Sequence, residues 1–405
     1  MSASPQPYLS SNPHLVQLLA DHIMASPQQR ITFADYMDWV LYHPQHGYYS
    51  RYAEKIGAQG DFVTSPHMGR DFGELLAVQV VQLWHHLDRP QPFHLVEMGA
   101  GQGLLACDVL RYLADHHPDC FQVLEYGIVE KSPALIAEQR QRLGAIASSG
   151  TVRWYTWDEI PPQSLVGCCL SNELVDAFPV HLVETQQQQL REVYVTVESS
   201  TGDLPHFVEQ LGDLSSDRLR TYFETLGIDI THPPYPDGYR TEVNLAAQDW
   251  LHTVAQRLQR GYLLTIDYGY TAQRYYVPTR SGGTLQCYYH HAHHSDPYRY
   301  IGQQDLTAHV NFTDLERHGA TVGLETLGFT QQGLLLMALG LGDRLALLSN
   351  PATVPDVQTL FQRRESLHAL MNPMGLGNFG VLIQSKGLTD VERQKPLQGL
   401  HHPPL

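Results

Sequence analysis

The sequence predicts an α/β fold: a parallel, doubly wound sheet preceded by a helical region and interrupted by a cap-like insertion. Three observations predict it. From Phe93 the chain repeats strand, turn and helix; the first of those turns is rich in glycine; and apolar runs at 152–155, 166–170 and 261–266 are spaced by helical patterns. Strands separated by helices favour parallel pairing, because a parallel neighbour is reached only by a long crossover.

The elements follow in chain order. Residues 1–90 read as a helical lead-in, with Leu15, Leu18, Leu19 and Ile23 at helical spacing and a second helix at 32–41 carrying Phe33, Met37, Val40 and Leu41. A glycine-containing loop, GAQGDFVTSPHMG at 57–69, leads to an amphipathic helix at 72–87. Residues 91–198 form the first half of the core: a strand at 93–98, the turn GAGQG, a helix at 104–117, a strand at 125–130 and a helix opening at Ser132-Pro133. A hairpin of 180–184 and 192–197 then surrounds the polar tip TQQQQLR. The Pro- and Gly-rich segment 199–243 reads as a cap insertion, and 244–405 as the second half of the core. That half holds a helix at 245–260, an aromatic and His-rich stretch at 268–300, a helix at 312–327 started by Thr313 and Asp314, and a final edge strand at 379–383.

Composition narrows the function. The chain has 405 residues, more than one typical domain, and 42% are hydrophobic. Mean hydropathy is −0.27 and no run approaches the roughly 18 apolar residues of a membrane helix. Lys and Arg number 26 against 42 Asp and Glu, a net −16 that gives no general attraction to nucleic acid or anionic lipid. Cysteines 107, 120, 168, 169 and 287 have no C-x-x-C spacing, which argues against a disulfide framework and a structural zinc site. The N-terminus lacks a basic segment followed by an apolar run, and the first Arg is Arg30, so the expected location is cytoplasmic. Oligomeric state is left open.

The densest chemical signal is Val96-Glu97-Met98-Gly99-Ala100-Gly101-Gln102-Gly103, between a strand and a helix. Glycine there lets backbone and ligand approach closely. A dinucleotide fingerprint needs its third small residue one place later, where Leu104 stands, and no G-K-[ST] follows as in a phosphate loop. Glu97 would repel a pyrophosphate but suit a cation, and S-adenosylmethionine carries a cationic amino group. Glu130, with Lys131 beside it, ends the next strand where a carboxylate clamps a ribose diol. Asp158 ends the third strand and is a candidate for adenine, or simply a loop residue.

After the fourth strand come Ser171, Asn172, Glu173 and Asp176, at the edge where open α/β sheets bind ligands. Glu173 and Asp176 read either as carboxylates facing a cationic substrate or as caps of a following helix. His290, His291, His293 and His294 lack a recognised metal spacing, and no G-x-S-x-G serves a hydrolase.

These motifs in order resemble the MidA-like class I methyltransferases, whose mitochondrial member is a respiratory complex I assembly factor that methylates an arginine. The resemblance rests on Ile31-Thr32-Phe33-Ala34 with His46-Gly47-Tyr48-Tyr49, GDFVTSP at 60–66 with Phe72-Gly73-Glu74, EMGAGQG at 97–103, SNELVDAFPV at 171–180, IDYGY at 266–270 and DLTAHVNF at 305–312. It implies a Rossmann-like methyltransferase sheet of about seven strands with an N-terminal helical region and added helices. It also implies S-adenosylmethionine as cofactor, with Gly99, Ala100, Gly101 and Gly103 beneath it, Thr64, Ser65 and Pro66 over it, and Asn172 near the methyl group. The implied acceptor is arginine on a subunit of an NADH-dehydrogenase-like complex, with Glu173 and Asp176 as catalytic carboxylates. Two positions depart from the family: His67 stands where Glu is usual, and Asn311 where Asp is usual. Losing two carboxylates keeps a second reading open, an assembly chaperone that binds the cofactor without transferring methyl groups. A small-molecule methyltransferase is a third.

Overall fold

The computed structural model describes residues 11–50, 64–148, 150–198, 204–290, 292–348 and 357–401. Residues 57–63 of the expected covering loop, and His291, lie outside them. The chain forms two compact units. One is built from Val63–Leu174, Leu251–Gly269 and His318–Leu405, the other from Met1–Phe62, Val175–Trp250 and Tyr270–Arg317. This division does not follow the boundaries at 90, 198 and 243 read from the sequence, because each unit is assembled from three separated stretches.

The first unit holds the seven-stranded sheet: β1 (Phe93–Met98), β2 (Leu124–Val129), β3 (Val152–Tyr155), β4 (Leu165–Asn172), β5 (Leu258–Asp267), β6 (Glu325–Gln331) and β7 (Gly380–Lys386). Their spatial order is β3-β2-β1-β4-β5-β7-β6. The pairs β1–β2, β1–β4, β2–β3 and β4–β5 are parallel. Strand β7 runs antiparallel to both β5 and β6, so the sheet is mixed where the sequence suggested a wholly parallel one. The order reverses between β1 and β4, and such a switch point opens a crevice at the carboxyl ends of the strands.

Two expectations are corrected here. The 379–383 segment does not form an edge: β7 lies between β5 and β6, with Val381, Leu382 and Ile383 fully buried. Consecutive apolar residues suit a strand covered on both faces and would be costly at an edge. The edge belongs to β6, largely exposed, and the helix expected through 327 ends at Thr321 before Gly323 at φ 84°.

Helix Asp71–His86 buries Phe72, Leu75, Leu76, Val80 and Leu83 at helical spacing, and they join Leu95, Val109, Leu110, Ile128 and Ile383 in one core. Each such side chain contributes about 1.5–3 kcal/mol by leaving water. At the start of that helix Asp71 receives Arg344 at 2.7 Å and Arg363 at 2.7 and 2.8 Å. Burial pushes the Asp71 carboxyl up, but these hydrogen bonds outweigh it and hold it below the usual carboxylate range.

In the second unit, the N-terminal helices are Pro13–Ala25, capped by Asn12, and Phe33–Tyr42, capped reciprocally by Thr32 and Asp35. The hairpin His181–Gln186 and Gln189–Glu198 turns on Gln187 and Gln188, at φ 51° and 61°. Two left-handed residues make the tight turn whose twist matches the strands. Arg30–Thr32, His206–Gly212 and Arg240–Val243 complete this five-stranded antiparallel sheet. The segment expected as a cap therefore supplies two of its strands.

Candidate active site

The turn after β1 is left-handed at alternate positions, with φ 68° at Gly99, 52° at Gly101 and 77° at Gly103. A Cβ at Gly99 would come 2.7 Å from Leu174 Cδ1, whereas one at Gly101 would meet nothing within 4 Å among the described residues. Gly101 therefore presents bare backbone to open space, the cradle that a side chain would fill. Gly103 closes the turn by donating to the Ala100 carbonyl at 2.8 Å and begins helix Leu104–His116. Ala100 is buried beneath.

Two carboxylates end near this turn in different surroundings. Glu97 is almost wholly buried on β1 and accepts a 2.6 Å hydrogen bond from Tyr126. Burial pushes its carboxyl up to about 7; the Tyr126 bond opposes this and the Glu130 charge adds to it. A buried carboxylate held near neutrality is suited to a cationic group, which would restore its ionised form. Glu130, half-buried beyond β2, accepts from the backbone N–H groups of Lys131 at 2.8 Å and Ser132 at 2.9 Å. Gln139 adds a third donor at 3.3 Å. The same Gln139 amide donates to the Gly101 carbonyl at 2.8 Å and accepts from the Trp154 indole at 2.8 Å. Sequence reading missed Gln139, whose one local sign is a polar residue on the inner face of a helix. Asp158 lies exposed on the short turn Trp157–Glu159, where Glu159, not Asp158, folds back onto Thr156.

At the carboxyl end of β4 the backbone of Glu173 is left-handed, φ 51°, a conformation that costs a non-glycine residue about 1 kcal/mol or more. Two bonds to β5 hold it there: Glu173 N–H donates to the Ile266 carbonyl at 2.9 Å, and Leu174 N–H to Asp267 Oδ2 at 3.2 Å. The carboxylate Oε1 accepts from Asn172 Nδ2 at 3.1 Å and from the Ser65 backbone at 3.1 Å. Ser65, fully buried, exchanges hydrogen bonds with Gln332 at 3.0–3.1 Å. The turn Thr64, Ser65, Pro66 is thus tied directly to Glu173, a link that no sequence spacing shows.

His67 joins this turn to the glycine loop. Thr64 N–H can only donate, so His67 Nδ1 accepts it at 3.2 Å and the ring proton sits on Nε2, 3.2 Å from Gln102 Oε1. Burial lowers the His67 pKa and keeps the ring neutral. The imidazole caps the turn as an acidic side chain would, so this departure preserves the local structure.

Asp176 lies in the second unit, buried in the three-residue turn Val175–Ala177, with its carbonyl accepting from Ala308 N–H at 2.9 Å. That turn leads into the hairpin strand, so there is no α-helix after β4 for Glu173 or Asp176 to cap. Asn311, also buried in that unit, donates to the Tyr222 hydroxyl at 2.9 Å and accepts from Asp314 N–H at 3.4 Å. Burial lifts Asp314 to about 7, and an uncharged amide at 311 spares the interior a second nearby carboxylate. The departure at 311 therefore has a structural reason.

The sheet order, the antiparallel β7, the glycine turn after β1 and the carboxylate after β2 together define an S-adenosylmethionine-dependent methyltransferase. Residues 75–330 match the family model described as S-adenosyl-L-methionine-dependent methyltransferase, and the chain belongs to that family. Among solved structures it is similar to one from Burkholderia thailandensis bound to S-adenosyl-homocysteine: 32% identical, TM-score 0.83, covering 98% of this chain and 97% of that one. Among curated proteins it is 30% identical, over 89% of its length and 82% of the relative's, to the Drosophila melanogaster "Protein arginine methyltransferase NDUFAF7 homolog, mitochondrial". The Homo sapiens protein arginine methyltransferase NDUFAF7, mitochondrial, is 29% identical over 88% of this chain and 81% of its own. S-adenosylmethionine is the cofactor of the family, and the open backbone at Gly101 with the carboxylate of Glu130 fits it.

The expectation of a cytoplasmic location does not stand, since the curated relatives are named as mitochondrial proteins. Acidic composition and unpaired cysteines do not distinguish one reducing compartment from another, and a targeting address is read by a receptor rather than by the fold.

Proposed function

We propose that this chain methylates an arginine side chain of a protein, a subunit of an NADH-dehydrogenase-like respiratory complex. The names of the curated relatives support the arginine acceptor. In this reading Gly99, Ala100, Gly101 and Gly103 lie under the cofactor and Thr64, Ser65 and Pro66 over it. Glu97 faces its amino group, Glu130 with Lys131 its ribose, Asp158 its adenine, and Asn172 stands beside the methyl group. The bound cofactor supplies an electrophilic methyl group on a sulfonium.

The chain's own task is to orient a guanidinium and relieve it of a proton. A guanidinium has a pKa of about 13.8 and is a poor nucleophile, so a carboxylate must fix its plane and take up the charge that builds as the new bond forms. Glu173 is the principal clamp; Asp176 belongs to the second unit and is given no role beside it. The observation that carries this reading is the Glu173 carboxylate at the end of β4, steadied by Ser65 N–H and Asn172. Such preorganisation aims the acceptor without reorganisation at the moment of transfer.

Methylarginine peptides compared between cells with and without the protein test the acceptor: at least one site in the respiratory complex should disappear. An unchanged methylarginine inventory overturns the arginine reading. With that acceptor in hand, Glu173→Gln should keep cofactor affinity within a few-fold and lower transfer by roughly 100-fold or more. Near-normal turnover would remove Glu173 from the mechanism.

A further inference from the structure

Gln139 has no part in the chemistry described above, yet its amide is committed at every polar atom. It is fully buried on helix Pro133–Ser148. One N–H goes to the Gly101 carbonyl at 2.8 Å and the other to Glu130 Oε2 at 3.3 Å, while the carbonyl accepts from Trp154 Nε1 at 2.8 Å. The orientation of the amide follows from chemistry. An indole N–H only donates and a backbone carbonyl only accepts, so the flipped amide would face Trp154 and Gly101 each with the wrong group. Gly103 makes room for it, since a Cβ there would lie 3.2 Å from Gln139 Cγ. One side chain thus bridges the turn after β1, the carboxylate after β2 and the indole of β3.

We infer that Gln139 is a positioning residue that aims the Glu130 carboxylate at the cofactor's ribose and thereby sets the preference for ribose over deoxyribose. The inference rests on Glu130 being the ribose ligand, as proposed above. With Oε1 held by the Lys131 and Ser132 backbone and Oε2 steadied by Gln139, the carboxylate has one orientation available to a diol. Without Gln139, rotation of the carboxyl group would spread that orientation over several and release the Gly101 carbonyl. Among the described residues, Lys131, next in the chain, and Glu97 on β1 interact electrostatically with Glu130.

The probes are S-adenosylhomocysteine and its 2′-deoxyribose analogue, with affinity measured by calorimetry from pH 6 to 9. In the parent, loss of the 2′-hydroxyl should weaken binding about 10-fold or more. Gln139→Met should weaken S-adenosylhomocysteine about 10-fold and bring the two ligands to within about 2-fold of each other. Gln139→Glu keeps the shape but replaces the donor with an acid. The introduced carboxyl can share a proton with Glu130 at low pH, so affinity relative to the parent should fall at least about 10-fold further between pH 6 and pH 9. Full ribose preference in folded Gln139→Met, or a pH-independent ratio in Gln139→Glu, overturns the inference. Glu130→Ala separates the two levels. If it leaves ribose preference intact, the ribose assignment itself fails; if it abolishes the preference while the Gln139 variants do not, only the positioning role fails.

Discussion

Replacing Glu97 by Gln should stabilise the protein relative to the parent, by an amount that grows with pH. Glu97 is 3% exposed, and burial lifts its carboxyl from 4.5 to about 7. Between those values the folded chain holds a proton that the unfolded chain has released, so the parent loses stability as pH rises and levels off above about 7. At about 1.4 kcal/mol per pH unit, the full span is worth about 3 kcal/mol. Gln has no proton to lose, and its carbonyl can still accept from Tyr126, which bonds Glu97 at 2.6 Å. Asp108 and Asp314, lifted to about 6 and about 7, are present in both proteins and cancel in the difference. Urea unfolding of the two proteins at pH 5, 6, 7 and 8 measures it. The gap should widen by about 3 kcal/mol across the series, and a constant gap would refute the buried-carboxyl argument. The same variant should cost cofactor affinity. In the parent near pH 7, binding an ammonium beside Glu97 should release a proton, visible as a dependence of calorimetric heat on buffer ionisation enthalpy and lost in Glu97→Gln.

Gly101→Val should abolish S-adenosylhomocysteine binding, because its side chain enters the open space, and lower the melting temperature by roughly a few degrees, because φ 52° strains a β-branched residue; binding within a few-fold of the parent would move the cofactor off this turn. Glu130→Ala should weaken the same ligand by roughly 5- to 150-fold, the equivalent of about 1–3 kcal/mol of hydrogen bonding, and unaltered affinity in the folded variant would place the ribose elsewhere. Asn311→Asp should add a carboxyl near Asp314, already lifted to about 7 by burial, and cost about 1–3 kcal/mol at pH 8 that is recovered near pH 5. Thermal melts at the two pH values check this, and equal losses at both would assign the cost to shape rather than charge.

Much of the first unit is legible in the sequence alone. Phe93–Met98, Val152–Tyr155 and the helices beginning at Leu104 and Pro133 carry strong periodicity or start signals, and the structure has them within a few residues of their expected bounds. The hairpin around the glutamines was also legible, although only Gln187 and Gln188 form its turn. Strand β6 was hidden because ETLGFTQ is polar and lies at an edge, where pairing rather than burial holds it.

What the sequence determined by itself is the local chemistry: three glycines at the turn after β1, a carboxylate after β2, and Asn172 and Glu173 after β4. Period and turn residues act over a few positions, so they specify what an element is and which residues end it. Its neighbours are another matter. Only tertiary structure set β7 between β5 and β6, brought Ser65 to Glu173 across 108 residues, and gathered Gly101, Glu130 and Trp154 around the Gln139 amide. Those arrangements arise because buried polar groups and strand edges must each find a partner, and the partner is whichever group the packed chain brings within hydrogen-bond reach.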